Sequence, residues 1–290
     1  MSETSSGVLG SYRTAGEASA AAALVEPRAG TAQIDPTAAA FFDVDNTLIR
    51  GSSLFHFAAG LARRRFFSST QIMGFAGKQV KFVLSGSEDV EDMVSATQAA
   101  LSFVAGRTVA ELVDLGQEVF ADSMVDTLIP GTLALAQGHL DAGQRVWLVT
   151  ATPVELATLI STHLGLTGAL GTVAEVVDGT YTGALVGAPL HGMAKAEAVR
   201  ALAVREGLDL SRCSAYSDSA NDIPMLSLVG RPIAVNPDGA LRDHARDNDW
   251  PIRDFRRRAH MRRAAPGIAA GAGVAAGMTL GYALGRLARR

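Results

Sequence analysis

The sequence predicts an α/β protein: a doubly wound, Rossmann-like parallel sheet with a helical domain inserted in it and a hydrophobic helix after it. Three observations carry the prediction. Short apolar runs alternate with helical stretches along residues 37–255, the rhythm of βαβ units. About a hundred residues separate the first run from the second, far beyond an ordinary crossover. An uncharged stretch at 264–285 then ends the chain between arginines.

Residues 1–36, rich in Ala, Ser, Gly and Thr without a sustained apolar period, read as a mostly disordered extension with a weak helix over 16–24. Strands are expected at 38–42, 145–149, 213–216 and 232–235. The first is apolar throughout, as a strand buried on both faces requires. Helices are expected at 131–142 and 194–206, where Gly143 and Gly207 fit their stops. Between the first two strands, apolar positions at three-to-four spacing suggest helices at 54–65, 70–84, 90–105 and 109–124, an inserted domain spanning about 54–128. Within 172–186, Asp178-Gly179 between β-formers signals a hairpin.

Arg256, Arg257, Arg258, Arg262 and Arg263 make 256–263 a basic linker. The uncharged 264–285 would span about 33 Å as a helix at ~1.5 Å per residue, against ~30 Å of bilayer hydrocarbon. This reads as a transmembrane or membrane-associated helix, with a disordered Gly/Ala tail as the alternative. Gly273, Gly277, Gly281 and Gly285 share one helical face, which would also let two copies of the chain pair as a homodimer.

Composition narrows the function. The 290 residues carry a net charge of −3, so no basic field argues for nucleic acid. One cysteine, Cys213, excludes an internal disulfide and a cysteine-built zinc site. Glu3, Glu17 and Glu26 interrupt any secretory signal, so the expected location is the cytoplasm or the inner face of its membrane. Only Lys78, Lys81 and Lys195 are lysines among 26 basic residues, and a retained lysine in an arginine-preferring chain draws attention.

The chemistry begins where the first strand ends, in Phe-Phe-Asp-Val-Asp-Asn-Thr-Leu at 41–48. Alternation along a strand turns Asp43 and Asp45 to one face. Two converging carboxylates need a shared proton or a cation. The second strand ends in Thr150, the third runs into Ser217-Asp218-Ser219-Ala220-Asn221-Asp222, and Lys195 lies between them at a helix start. In a doubly wound sheet these strand ends meet at one edge. Four carboxylates with oxygen-only ligation favour a hard cation that keeps some of its water, Mg²⁺. A lysine and a hydroxyl beside them suit phosphoryl transfer, with an Asp carboxylate as nucleophile.

The set 43–47, 146–150, Lys195 and 217–222 resembles the four motifs of the haloacid-dehalogenase-like hydrolases. Pro130-Gly131, the Asp-Gly hairpin, Gly192 and the run Asn-Asp-Ile-Pro-Met-Leu at 221–226 are similar to the phosphoserine-phosphatase-like branch. The resemblance implies that Asp43 attacks phosphorus, that Asp45 is acid and then base, and that Thr150 and Lys195 bind the phosphate. It also implies that Asp43, the backbone carbonyl of Asp45, and Asp218 hold Mg²⁺, with Asn221 and Asp222 supporting that site. The inserted helices then read as a cap over the site. At one place the chain departs from the branch: residues 48–57 contain no Glu or Asp, and Ser52 and Ser53 stand there. The expected activity is Mg²⁺-dependent hydrolysis of a small phosphorylated metabolite, nominally phosphoserine-like. The rival is a membrane-associated domain that binds phosphorylated head groups or partners with little turnover.

Overall fold

The structure, a computed structural model, describes residues 2–25, 35–64 and 104–256. By internal contacts the chain divides into two units, Met1–Ile252 and Arg253–Arg290. In the first unit the chain enters through a helix, α1 (Ser2–Ala22), and then forms β1 (Ala39–Phe42), all four of whose residues are buried. Parallel pairing on both sides explains that burial: Phe41 faces Trp147 of β2 (Arg145–Pro153) and Ala215 of β6 (Ser214–Ser217). With β3 (Gly168–Thr172), β7 (Arg231–Val235) and β8 (Ile252–Arg253) the sheet has the order β3-β2-β1-β6-β7-β8 among the described residues. The chain winds one way from β1 through β2 to β3 and the other way through β6 to β7, with every one of those pairings parallel. Beside β1 lies the switch point where such sheets bind ligands.

The two faces of the sheet are filled by alternate residues of the same strands. Phe41, Trp147, Val149 and Leu170 share a core with Ala15 and Ala20 of α1 and with Ala198, Val199 and Leu202 of α6 (Met193–Glu206). On the opposite face Phe42 stacks on Tyr216, 4.1 Å between centroids. His139 of α4 (Pro130–Asp141) meets both and holds the Tyr216 hydroxyl at 2.6 Å.

The first correction to the sequence reading is α1, which runs over Ser2–Ala22 where a mostly disordered extension with only a weak helix over 16–24 is expected. Its buried face is built of small residues, Ala15, Gly16, Ser19 and Ala20, which give no strong apolar period. Their value lies in close approach. A Cβ on Gly16 would come within 2.7 Å of the Ala198 amide nitrogen, so the two helices pack nearly backbone to backbone. The second is β3, whose Gly-Ala-Leu-Gly-Thr sequence carries little β signal although all five residues are buried. Gly168 leaves room for the Trp147 ring, which a Cβ would meet at 2.5 Å.

Between β1 and α4 the described α-helices include α2 (Ser53–Arg63) and α3 (Val109–Val119), capped by the side chains of Ser52 and Thr108. The helix expected over 109–124 changes register at Phe120, where a π-turn (Phe120–Met124) and then a 3₁₀ turn (Val125–Thr127) lead on to α4. The helices expected at 70–84 and, but for Val104 and Ala105, at 90–105 lie outside the described residues. After β2 come α5 (Val154–His163) and β3, then the hairpin of β4 (Ala174–Val177) and β5 (Thr180–Leu185). Its turn residues Asp178 and Gly179 both have positive φ, 51° and 75°, as a two-residue primed turn needs.

A short helix α7 (Ile223–Leu226) follows β6, and α8 (Gly239–Asp247) follows β7. In the second unit the Arg256 amide donates to the Asp254 carboxylate at 3.1 Å. The rest of the basic linker and the uncharged stretch 264–285, read from sequence as a hydrophobic helix, lie outside the described residues. No helix among the described residues is long and apolar enough to cross a membrane.

Candidate active site

Asp43 is the first residue past β1, and its amide continues the sheet by donating to the Tyr216 carbonyl at 2.9 Å. From this buried position its Oδ1 accepts from the Lys195 ammonium at 2.6 Å. Lys195 also donates to Asp222 Oδ2 at 2.8 Å. All three side chains are nearly inaccessible. Lys195 reaches them from the first turn of α6, whose entry depends on Gly192: φ is 54° there, in the region that favours glycine. Ser217 at the end of β6 completes the group by donating to Asp222 Oδ2 at 2.7 Å.

A tight loop carries the second carboxylate. Asn46 has φ 59°, and its side-chain oxygen accepts from the Gly51 amide at 3.0 Å. The loop thereby folds back so that the Ser53 amide, at the start of α2, donates to Asp45 Oδ1 at 2.7 Å. The Ser53 hydroxyl in turn lies 2.6 Å from that of Thr152. Thr150 stands two residues past the Phe42–Leu148 pair, buried at the same sheet edge. Its hydroxyl donates to Thr152 Oγ1 at 3.1 Å and accepts from the Thr152 amide. Across the site Thr47 donates to Asp218 Oδ1 at 3.3 Å, tying the first loop to the one after β6. Asp222 and Asn221 form the 3₁₀ turn (Ala220–Asp222), which the Ser219 hydroxyl caps through the Asn221 amide.

The electrostatics are those of carboxylates crowded out of water. Burial drives the Asp43 carboxyl up to about 7 against the opposing Lys195 charge, with Asp222 and Asp45 adding repulsion. Burial, then repulsion from Asp43 and Asp222, pushes Asp218 up to about 8. Asp45 is raised by burial, partly offset by its bonds from Ser53. Burial by itself would lower the Lys195 ammonium, but Asp222 and Asp43 more than reverse this and keep it charged. Asp222 Oδ1 is buried with no hydrogen-bond partner among the described residues. Lys195 thus answers only part of the negative charge, and a divalent cation would answer the rest. Among the described residues no three carboxylate, imidazole or thiol side chains converge as a ready ligand sphere. A hard cation held by two carboxylates and a backbone carbonyl, and otherwise by water, fits that donor set.

Asp43, Asp45, Thr150, Lys195, Asp218 and Asp222, predicted from distant stretches of sequence, therefore meet at one sheet edge. Sequence reasoning passed over Ser53, Thr152, Ser217 and Thr47 as partners. Ser217 and Thr47 stand inside the two acidic motifs, but nothing in the linear pattern shows which hydroxyl turns inward.

A sequence profile described as haloacid dehalogenase-like hydrolase matches residues 40–227, which include every member of this cluster. The chain belongs to the haloacid dehalogenase-like hydrolase family. It is similar to phosphoserine phosphatase SerB1 of Mycobacterium tuberculosis, with 56% identity over 255 residues, 88% of this chain and 80% of that protein. It is also similar to a histidinol-phosphatase of Neisseria meningitidis, with 29% identity over 75% of this chain and 98% of that one. Among solved structures, a Bordetella pertussis protein of unknown function matches with a TM-score of 0.67 and 30% identity, over 75% of this chain and 98% of that chain. The expected resemblance thus holds for the family, and this chain is a hydrolase of the haloacid dehalogenase-like type.

Proposed function

We propose that this chain is a Mg²⁺-dependent phosphomonoester hydrolase that works through a phosphorylated Asp43 on a small metabolite. The observation that carries the reading is the buried ammonium of Lys195 between Asp43 and Asp222, at 2.6 and 2.8 Å, with Asp45 held by Ser53 on the following loop. The similarity to a protein named phosphoserine phosphatase supports the reaction class.

The residues divide the work as follows. Asp43 attacks phosphorus in line, forming an aspartyl phosphate as the ester bond breaks. The leaving alkoxide takes a proton from Asp45, whose raised affinity for that proton suits an acid. Asp45, now a carboxylate, takes a proton from the water that cleaves the aspartyl phosphate, and inorganic phosphate departs with Asp43 restored. Lys195 offsets charge on nucleophile and phosphate, and the Thr150 hydroxyl bonds a phosphoryl oxygen. Asp43, the Asp45 backbone carbonyl and Asp218 would hold Mg²⁺, with Asn221 and Asp222 in support. When bound, the ion supplies positive charge against the phosphoryl oxygens. The helices inserted after β1 act as a cap that keeps bulk water from the reacting groups.

No separate observation favours a binding domain without turnover. Phosphate release from an aryl phosphate and a panel of phosphorylated metabolites, phosphoserine included, tests the reading. The parent is expected to turn over with Mg²⁺ and to stop with EDTA, and Asp43→Asn to lose at least about a thousandfold in kcat. Equal rates in parent and variant would overturn the reading.

A further inference from the structure

A cavity of 110 Å³ opens beside the catalytic group, walled by Leu54, Phe57, Leu112, Leu156 and Tyr181 among others. It is somewhat smaller than an engineered cavity of about 150 Å³ that binds benzene, enough for a short side chain or a small ring. Its walls continue the site: Leu54 follows Ser53, which holds Asp45, and Ala151 stands between Thr150 and Thr152. One ionisable group among the described lining residues can carry charge at neutral pH, Glu155 in the first turn of α5. The Tyr181 phenol lines the same cavity. Glu155 Oε2 is buried with no hydrogen-bond partner among the described residues.

A carboxylate in an apolar cavity with one oxygen unanswered is costly unless something pairs with it. The lining offers no such partner: among its described residues there is no Lys, Arg or His. Nor do those described residues offer anything to neutralise a carboxylate on an incoming molecule.

We infer that this cavity is the leaving-group subsite and that Glu155 selects phosphomonoesters of alcohols bearing a cationic nitrogen and no carboxylate. The inference rests on the phosphatase reading above. In the bound state the ammonium pairs with the Glu155 carboxylate, and the carbon chain lies along Leu54, Phe57 and Leu156. Residues 48–57 supply no acid for such an amine; Glu155 lines the cavity from the first turn of α5, after β2. Burial raises the Glu155 carboxyl, and a bound cation would reverse that shift.

The test compares kcat/KM for phosphoethanolamine, phosphoserine and glycerol phosphate, with an aryl phosphate as a separate check on hydrolysis. The parent is expected to rank phosphoethanolamine first. Glu155→Gln should lower its ratio over glycerol phosphate by at least about tenfold, since a site built to bond an N–H discriminates through that bond. Glu155→Asp, which keeps the charge, should retain part of the preference. Melting curves show that the variants fold, and Glu155→Gln, which removes a buried charge, should melt no lower than the parent. A parent that prefers glycerol phosphate or phosphoserine, or a ratio unmoved in Glu155→Gln, would overturn the subsite while aryl phosphate turnover leaves the hydrolase reading standing. Failure of the parent on every ester, the aryl phosphate included, would end both.

Discussion

At the scale of single residues the site is governed by Lys195. Its ammonium stands within hydrogen-bond reach of Asp43 and Asp222, all three out of water. Removing one member of such a group leaves like charges facing each other in low dielectric, at a cost of about 3–5 kcal/mol. Lys195→Met should therefore lower the melting temperature by about 10 °C as well as abolish activity. The loss should depend on pH in a definite direction. Asp43 binds its proton more tightly folded than unfolded, so its folded-state stability declines as pH rises from the ordinary carboxylate range through about 7. Without Lys195 that decline steepens. The melting deficit of the variant, measured without metal, should be larger at pH 8 than at pH 5, and a deficit that is flat with pH would contradict the assignment. The residues of this group are legible in the sequence because their chemistry is extreme: acids at the ends of apolar runs, and one lysine in a chain that prefers arginine. Ser53, Thr152 and Glu155 are not legible, since a hydroxyl or a helix glutamate has an ordinary solvated reading and only the fold turns it inward.

Elements show the opposite balance between pattern and packing. The strands β1, β2, β6 and β7 lie within a few residues of their expected places because continuous apolar runs have no other stable use than a doubly covered sheet. The hairpin is legible in Asp178-Gly179, whose positive φ angles few other pairs tolerate. Helix α1 and strand β3 escape the same reading because small residues build them, and smallness leaves no periodic signal. Their evidence lies in what they touch, Gly16 against Ala198 and Gly168 against Trp147. This gives α1 a testable role as part of the core. Gly16→Leu should separate α1 from α6 and cost about 1–3 kcal/mol by overpacking, seen as a lower melting temperature. Gly10→Ala, where a Cβ meets nothing within 4 Å, should be neutral or stabilising by helix propensity. Equal melting of the two variants would mean that α1 does not pack as described.

For the molecule as a whole, the sheet order explains why residues 152 positions apart, Asp43 and Lys195, share a hydrogen bond. Winding outward from β1 in both directions brings the ends of β1, β2 and β6 to one edge, and the long insertion after β1 puts α2 and α3 beside that edge. The central claim is that Asp43 carries the phosphoryl group during turnover. Rapid acid quenching of the enzyme during hydrolysis of a phosphomonoester, followed by peptide mass spectrometry, tests it most directly. One phosphoryl group on the peptide containing Asp43, absent in Asp43→Asn, is the expected result. Turnover with no phosphorylated peptide at any quench time, or with the label on another residue, would contradict it.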